Sequence, residues 1–115
     1  MKKLRTLYLI ASEDQFRLVQ THAPDWALIA SHKTGADAHR YIHDMADALA
    51  AEWASAKHDR IVIAAGPKLL GEVRAHLPKA LQSHVAAELH KDLAKTPLHD
   101  LPPHFAHIGE AIEED

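Results

Sequence analysis

The stretch Arg60-Ile61-Val62-Ile63-Ala64-Ala65-Gly66-Pro67 decides the fold. Its apolar run is short, rich in β-branched residues and free of polar interruption, the composition of a strand covered on both faces. Glycine and proline follow at once and open a helix, with glycine as N-cap and proline at the first helical position, where no amide partner is needed. Leu69, Leu70, Val73 and Leu77 carry that helix at spacings of three and four as far as Pro78. A helix also comes before the strand. Ala38, Ile42, Met45, Leu49 and Trp53 recur at the same spacings, from a start at Thr34 to about Lys57, and Thr34 with Asp37 is close to a capping box. A strand held between two helices pairs in parallel with another strand of the chain.

Toward the N-terminus, Leu4 to Ala11 is nearly continuous apolar and reads as that partner. Ser12-Glu13-Asp14 is a turn, after which Gln15 to Gln20 alternates, with Phe16 and Leu18 on one face and Arg17 and Val19 on the other. Ala23-Pro24-Asp25 breaks the run before a third strand, Trp26 to Ala30, so the first three strands form an antiparallel meander. Toward the C-terminus, Pro78 begins a short turn through Ser83. Val85, Ala87 and Leu89 then alternate with Ala86, Glu88 and His90 as a fifth strand. Asp100 is placed to cap a last helix with the stripe Leu101, Phe105, Ile108 and Ile112, and Glu110 to Asp115 is expected to fray.

Right-handed crossovers set the fourth strand beside the first and the fifth outside it, giving the order 3-2-1-4-5. This is a ribonuclease H-like α/β plan: three layers, a five-stranded mixed sheet and about three main helices. Residues 1–115 read as one domain. Gly71 lies inside the second helix, where glycine is about 1 kcal/mol worse than alanine. The expected compensation is close approach of that helix to the sheet, so Gly71→Leu is expected to overpack.

Composition narrows the function. At 115 residues, with 47% apolar and 25% charged, the chain can bury a core without staples, and it has no cysteine for disulfides or thiolate metal sites. The apolar stretch after the basic start ends at Ala11, too short for an export signal or a membrane span, so a cytoplasmic protein is expected. A net charge of -3 offers no global attraction for nucleic acid, which is not expected as a partner. The eleven histidines read as solvated surface groups whose titration makes the chain more cationic toward about pH 5.5.

Nuclease chemistry on this plan needs carboxylates converging from the first strand, the first helix and the fourth strand on two metal ions. The first strand has no acid, the fourth ends in Ala65-Gly66, and Asp44, Asp47 and Glu52 all lie on one helix. No serine sits in a glycine-flanked elbow, and no glycine-rich phosphate loop exists. His39, His43 and Asp47, spaced by four, line one helix edge, and His99, His104 and His107 form a second histidine group. Zinc sites normally draw a closing ligand from another element. None is identifiable, so no cofactor and no tight zinc or manganese site is expected. The remaining candidate is the cleft beyond the strands' carboxyl ends, where Gly66, Lys68, Lys91 and Asp92 are expected to share an edge. The lysines and the free amides of the second helix suit a phosphate or carboxylate, with Asp92 orienting Lys91.

Two segments carry a family likeness: Arg60 to Arg74, and Val85-Ala86-Ala87-Glu88-Leu89-His90-Lys91-Asp92-Leu93 followed by Thr96-Pro97 and Leu101. The Glu-x-x-Lys-Asp-Leu run is the most distinctive part. From Asp59 to Phe105 the chain resembles the bacterial host attachment protein family, described as relatives of the central domain of archaeal and eukaryotic peptide-chain release factors. The resemblance implies a ribonuclease H-like fold and a label of attachment to host cells. The release-factor relative hydrolyses peptidyl-tRNA with a Gly-Gly-Gln loop, and no Gly-Gly pair occurs in this chain. The N-terminal hairpin departs from the family pattern.

The first expectation is therefore a non-catalytic interaction module inside the cell, taking an unidentified protein partner or a small anionic ligand, with a homodimer compatible. The alternative is a translation-associated module touching ribosome or tRNA, without peptidyl-tRNA hydrolase activity. A hydrolase built on the cleft ranks third.

Overall fold

The computed structural model describes residues 5–21, 26–33, 38–55 and 57–105. The elements run β1 (Thr6–Ala11), β2 (Gln15–Thr21), β3 (Trp26–Lys33), α1 (Ala38–Trp53), β4 (Arg60–Ala64), α2 (Pro67–His76), α3 (Lys79–Gln82) and β5 (Val85–Leu89). A 3-10 turn, Leu98–Asp100, follows, and residues 102–105 are helical. The sheet order is β3-β2-β1-β4-β5. β1 pairs antiparallel with β2 and parallel with β4; β3 joins β2 antiparallel and β5 joins β4 parallel. This is the order 3-2-1-4-5 expected from the N-terminal meander and right-handed crossovers.

Each sheet face buries a separate core. Leu7, Leu9 and Ala11 of β1, Phe16 and Leu18 of β2, and Ile61 and Ile63 of β4 face α1, α2 and α3. Tyr41, Ile42, Met45 and Leu49 of α1 meet them with Leu69, Leu70, Val73, Leu77 and Leu81. The opposite face presents Tyr8, Ile10, Val19, Val62 and Ala64 to Leu93, Leu101 and Phe105. One strap, residues 93–105, thus covers that side among the described residues. Tyr8 anchors it by stacking on Trp26 at 4.4 Å between ring centroids and meeting Phe105 edge-on at 4.9 Å.

Four local expectations change. β3 runs on to Lys33, beyond Ala30, because Gln15, Phe16 and Arg17 still offer partners. α1 stops at Trp53, short of Lys57, because the Ser55 hydroxyl donates to the Glu52 carbonyl at 2.7 Å and competes with the next helical turn. Asp100 lies inside the 3-10 turn and does not cap the helical stretch, which begins at Pro102. Gly71 faces solvent, and a Cβ there would meet nothing within 4 Å. The close-approach account of Gly71 is therefore wrong: the helix buries Leu69, Leu70 and Val73, and position 71 lies outside that stripe.

The fifth strand holds a further surprise. Ile61 pairs with Val85 but Val62 pairs with Ala87, so Ala86 is an extra residue, a β-bulge. Val85 consequently joins the helix-side core while Ala87 and Leu89 join the strap side. Unbroken alternation would have put all three on one face. The bulge also turns Glu88 toward α2, where it receives both Arg74 Nε, at 2.8 Å, and Arg74 Nη2.

The expected N-cap at Thr34, the break at Ala23-Pro24-Asp25, the stripe positions Ile108 and Ile112 and the acidic tail lie outside the described residues. No helix among those described is long and apolar enough to cross a membrane.

Candidate functional site

Three chain segments end on the same edge because β1, β4 and β5 run parallel and discharge their carboxyl ends together. They enclose an open cleft of about 940 Å³ lined by Ser12, Glu13 and Asp14 after β1, Gly66 to Leu69 after β4, and Asp92 and Lys95 to Pro97 after β5. Of the expected site residues, Gly66, Lys68 and Asp92 line it. Lys91 is exposed but is not among the lining residues, and Lys95 stands there instead.

The β1–β2 hairpin fixes one wall. Ser12 N donates to the Gln15 carbonyl at 2.8 Å, leaving Glu13 and Asp14 at the tip. The Ser12 hydroxyl donates to Asp14 Oδ1 at 2.5 Å, and Lys95 Nζ meets Asp14 Oδ2 at 3.0 Å. Both contacts favour the ionised carboxyl, the serine bond more strongly, and hold Asp14 below the usual carboxylate range. Gln15 Nε2 donates to the Ala94 carbonyl at 2.9 Å and Arg17 Nη2 to the Leu93 carbonyl at 2.6 Å. Burial lowers the Arg17 pKa, and its Nε finds no acceptor among the described residues. Below the hairpin, the Tyr41 hydroxyl donates to the Ser12 carbonyl at 2.9 Å. Burial, then the nearby charges of Asp14 and Asp92, push the phenol well above the ordinary tyrosine range.

The other wall is the start of α2. Gly66 is its N-cap in extended conformation, with φ -63 and ψ 157, and has no side chain to cap the first amides. Pro67 stands in the first turn and Lys68 is exposed beside it. Asp92 does not orient Lys91 through any described bond: its Oδ1 accepts the Ala94 amide at 3.2 Å and closes the loop after β5. The cleft therefore carries the carboxylates of Glu13, Asp14 and Asp92 against the ammonium groups of Lys68 and Lys95, and Lys95 is already paired. Sequence reasoning missed Lys95 because it lies in an aperiodic loop; its only signal is the contact with Asp14, which the fold alone creates.

Among the described residues no three histidine or acidic side chains gather as a metal site. His43, His99 and Asp47 are exposed.

Sheet order, parallel carboxyl edge and two-sided core define an α/β domain with a five-stranded mixed sheet. Residues 20–104 match the bacterial archaeo-eukaryotic release factor family 12, and the chain belongs to that family. The family named by the match is one of release factors, so the broader half of the resemblance stands and the host-attachment label does not carry over from it. Among solved structures, an archaeal protein is similar with a TM-score of 0.58 at 8% identity, over 95% of this chain and 38% of its own. The archaeal translation termination factor aRF1 is similar with a TM-score of 0.51 at 13% identity, over 95% and 39%. Dom34 of S. cerevisiae, a translation termination-like factor involved in RNA quality control pathways and interacting with Hbs1, gives 0.52 at 8% identity, over 94% and 38%. At these identities the likeness is one of fold, and the chain spans under two fifths of each of those proteins. No curated protein matches the chain in sequence.

Proposed function

We propose that this chain is a translation-associated module that docks on the protein-synthesis machinery without hydrolysing peptidyl-tRNA. The observation that carries the reading is family membership across residues 20–104, from the second strand to the strap. The fold likeness to a termination factor and to a termination-like factor of RNA quality control points the same way. The absence of a Gly-Gly pair from the sequence argues for contact without hydrolysis. A net charge of -3 and a cleft with three carboxylates argue for a protein partner over bare RNA.

The docking point we assign is the cleft edge of Gly66, Lys68, Lys91 and Asp92, extended to Lys95. Exposed Lys68, beside the uncapped amides of α2, suits a carboxylate group of a protein partner. Such a contact is weak and salt-sensitive because water and counter-ions compete for it. Co-sedimentation with ribosomes at low and high salt tests the reading. The chain is expected in the ribosome pellet at low salt, reduced at high salt, and reduced at both in Lys68→Glu. Absence from the pellet at both concentrations overturns the translation reading, whereas co-sedimentation indifferent to Lys68→Glu keeps it and removes the cleft. Peptidyl-tRNA hydrolysis is expected to stay at background throughout.

A further inference from the structure

We propose that Asp14 masks Lys95 in the free chain, and that docking transfers this ammonium from Asp14 to a carboxylate of the protein partner. The inference rests on the docking reading of the cleft and adds to it a contact that the partner must displace. Among the described residues, two lysines line the cleft. Lys68 makes no ion pair or hydrogen bond among those residues, so its charge is open to a partner. Lys95 instead reaches from the loop after β5 to the hairpin, with Nζ 3.0 Å from Asp14 Oδ2. One of the two cations is thus occupied from within, by a carboxylate that lines the same cleft.

The two halves of that pair are held unequally. Asp14 is the fixed half. The Ser12 hydroxyl donates to its Oδ1 at 2.5 Å, and Ser12 is itself tied through its amide to the Gln15 carbonyl and through its carbonyl to the Tyr41 hydroxyl. The serine bond keeps the carboxylate ionised and in place whether or not the lysine is there. Lys95 is the mobile half, a flexible four-carbon stem whose side chain is 74% exposed. Its release needs rotation of that stem alone, because the backbone around it keeps other anchors. The Ala94 amide donates to Asp92 Oδ1 at 3.2 Å, the Ala94 carbonyl accepts Gln15 Nε2 at 2.9 Å, and the Thr96 amide donates to the Leu93 carbonyl at 3.0 Å.

Energetics make the exchange feasible. An ion pair this exposed contributes little, so a competitor displaces it at low cost. A partner segment seated on Lys68 excludes water from the cleft, and a Lys95–carboxylate pair formed beneath it is screened less than the open pair it replaces. Asp14 keeps its serine bond and loses only the lysine. The mask also sets a preference. A lone anion gains Lys68 and leaves the internal pair intact, whereas a segment bearing two carboxylates engages Lys68 and also replaces Asp14. The cleft therefore selects an acidic protein segment over simple anions, through a competing contact built into its own wall.

Co-sedimentation with ribosomes at low salt tests the mask through a double-mutant cycle. Asp14→Asn is expected to raise affinity by up to about fivefold, the upper end for an exposed ion pair. Glu13→Gln removes the same charge from the same hairpin tip without freeing a lysine, and is expected to raise affinity less. In Lys95→Met affinity falls, and adding Asp14→Asn there is expected to do no more than Glu13→Gln does. Lysine ammonium spectra of the free chain supply a readout independent of ribosomes. The Lys95 ammonium protons are expected to exchange with water more slowly than those of Lys68, and to lose that protection in Asp14→Asn. Equal exchange at both lysines in the native chain, an Asp14→Asn gain no larger than that of Glu13→Gln, or an excess gain that survives Lys95→Met overturns the mask and leaves the docking reading standing. Failure of every variant to reach the pellet overturns the docking reading, and the mask with it.

Discussion

Tyr41 joins core and cleft in one side chain: its ring is buried under the sheet and its hydroxyl holds the Ser12 carbonyl at 2.9 Å. Tyr41→Phe leaves that carbonyl without its donor, and chemical denaturation is expected to show a loss of about 1 kcal/mol. The phenol's raised pKa has a definite sign. The unfolded chain ionises this tyrosine near the ordinary value of about 10, and the folded chain resists. The stabilisation is therefore complete below that pH and lost as pH rises above it. Stability measured toward alkaline pH is expected to fall less steeply in Tyr41→Phe than in the native chain; equal slopes refute the assignment. Gly71 gives the opposite lesson. Its Cβ position is open, so Gly71→Ala is expected to raise stability by up to about 1 kcal/mol through helix propensity alone. A destabilised Gly71→Ala in thermal unfolding contradicts the open geometry. The helical stripe was legible at Leu69, Leu70, Val73 and Leu77, but a glycine between stripe positions carries no mark of which way it faces.

Among elements, the hairpin and the loop after β5 hold each other through Asp14, Gln15 and Arg17. Asp14 sits below its ordinary pKa, so the tie is present at neutral pH and fades as pH falls below about 4 through the folded value. Asp14→Asn is expected to reproduce that loosening at neutral pH, with faster hydrogen exchange at the Ala94 and Thr96 amides and little change in β1. Unchanged exchange at those amides shows that Gln15 and Arg17 suffice. Element type and order were readable because strand runs and helical stripes carry their own periods. The cleft was readable only in part. Gly66, Lys68 and Asp92 follow from where parallel strands end, whereas Lys95 and the Asp14 tie depend on a loop with no period. The bulge escaped for a related reason: Val85-Ala86-Ala87 fits either face, since alanine tolerates both, and the deciding partner of Glu88 is Arg74 on another element.

For the whole molecule, the two sheet faces are unequally defended. Among the described residues, three helices cover one side, while Leu93, Leu101 and Phe105 of a single strap close the other. Leu101 is fully buried, and Leu101→Ala is expected to cost about 2–5 kcal/mol, the range for a large-to-small change in a packed core. Loss of the strap uncovers Tyr8, Ile10 and Val62, so the variant is expected to bind a hydrophobic dye at denaturant concentrations where the native chain does not. A Leu101→Ala protein with native stability and no dye binding shows that the strap is not what closes that face.

The bulge at Ala86 also bears on how this domain tolerates insertions and deletions. Most strands keep an unforgiving reading frame: losing one residue exchanges inside for outside from that point on. β5 already spends one alanine without advancing its pairing, since Val62 meets Ala87. Removing either alanine of Ala86-Ala87 yields a straight strand in which Glu88 still faces Arg74 and Leu89 still lies under the strap. The same deletion within β4, where every residue from Arg60 to Ala64 is buried, has no such slack and scrambles both cores. The edge strand beside the cleft is thus a place where this fold can shorten by one residue and keep its sidedness.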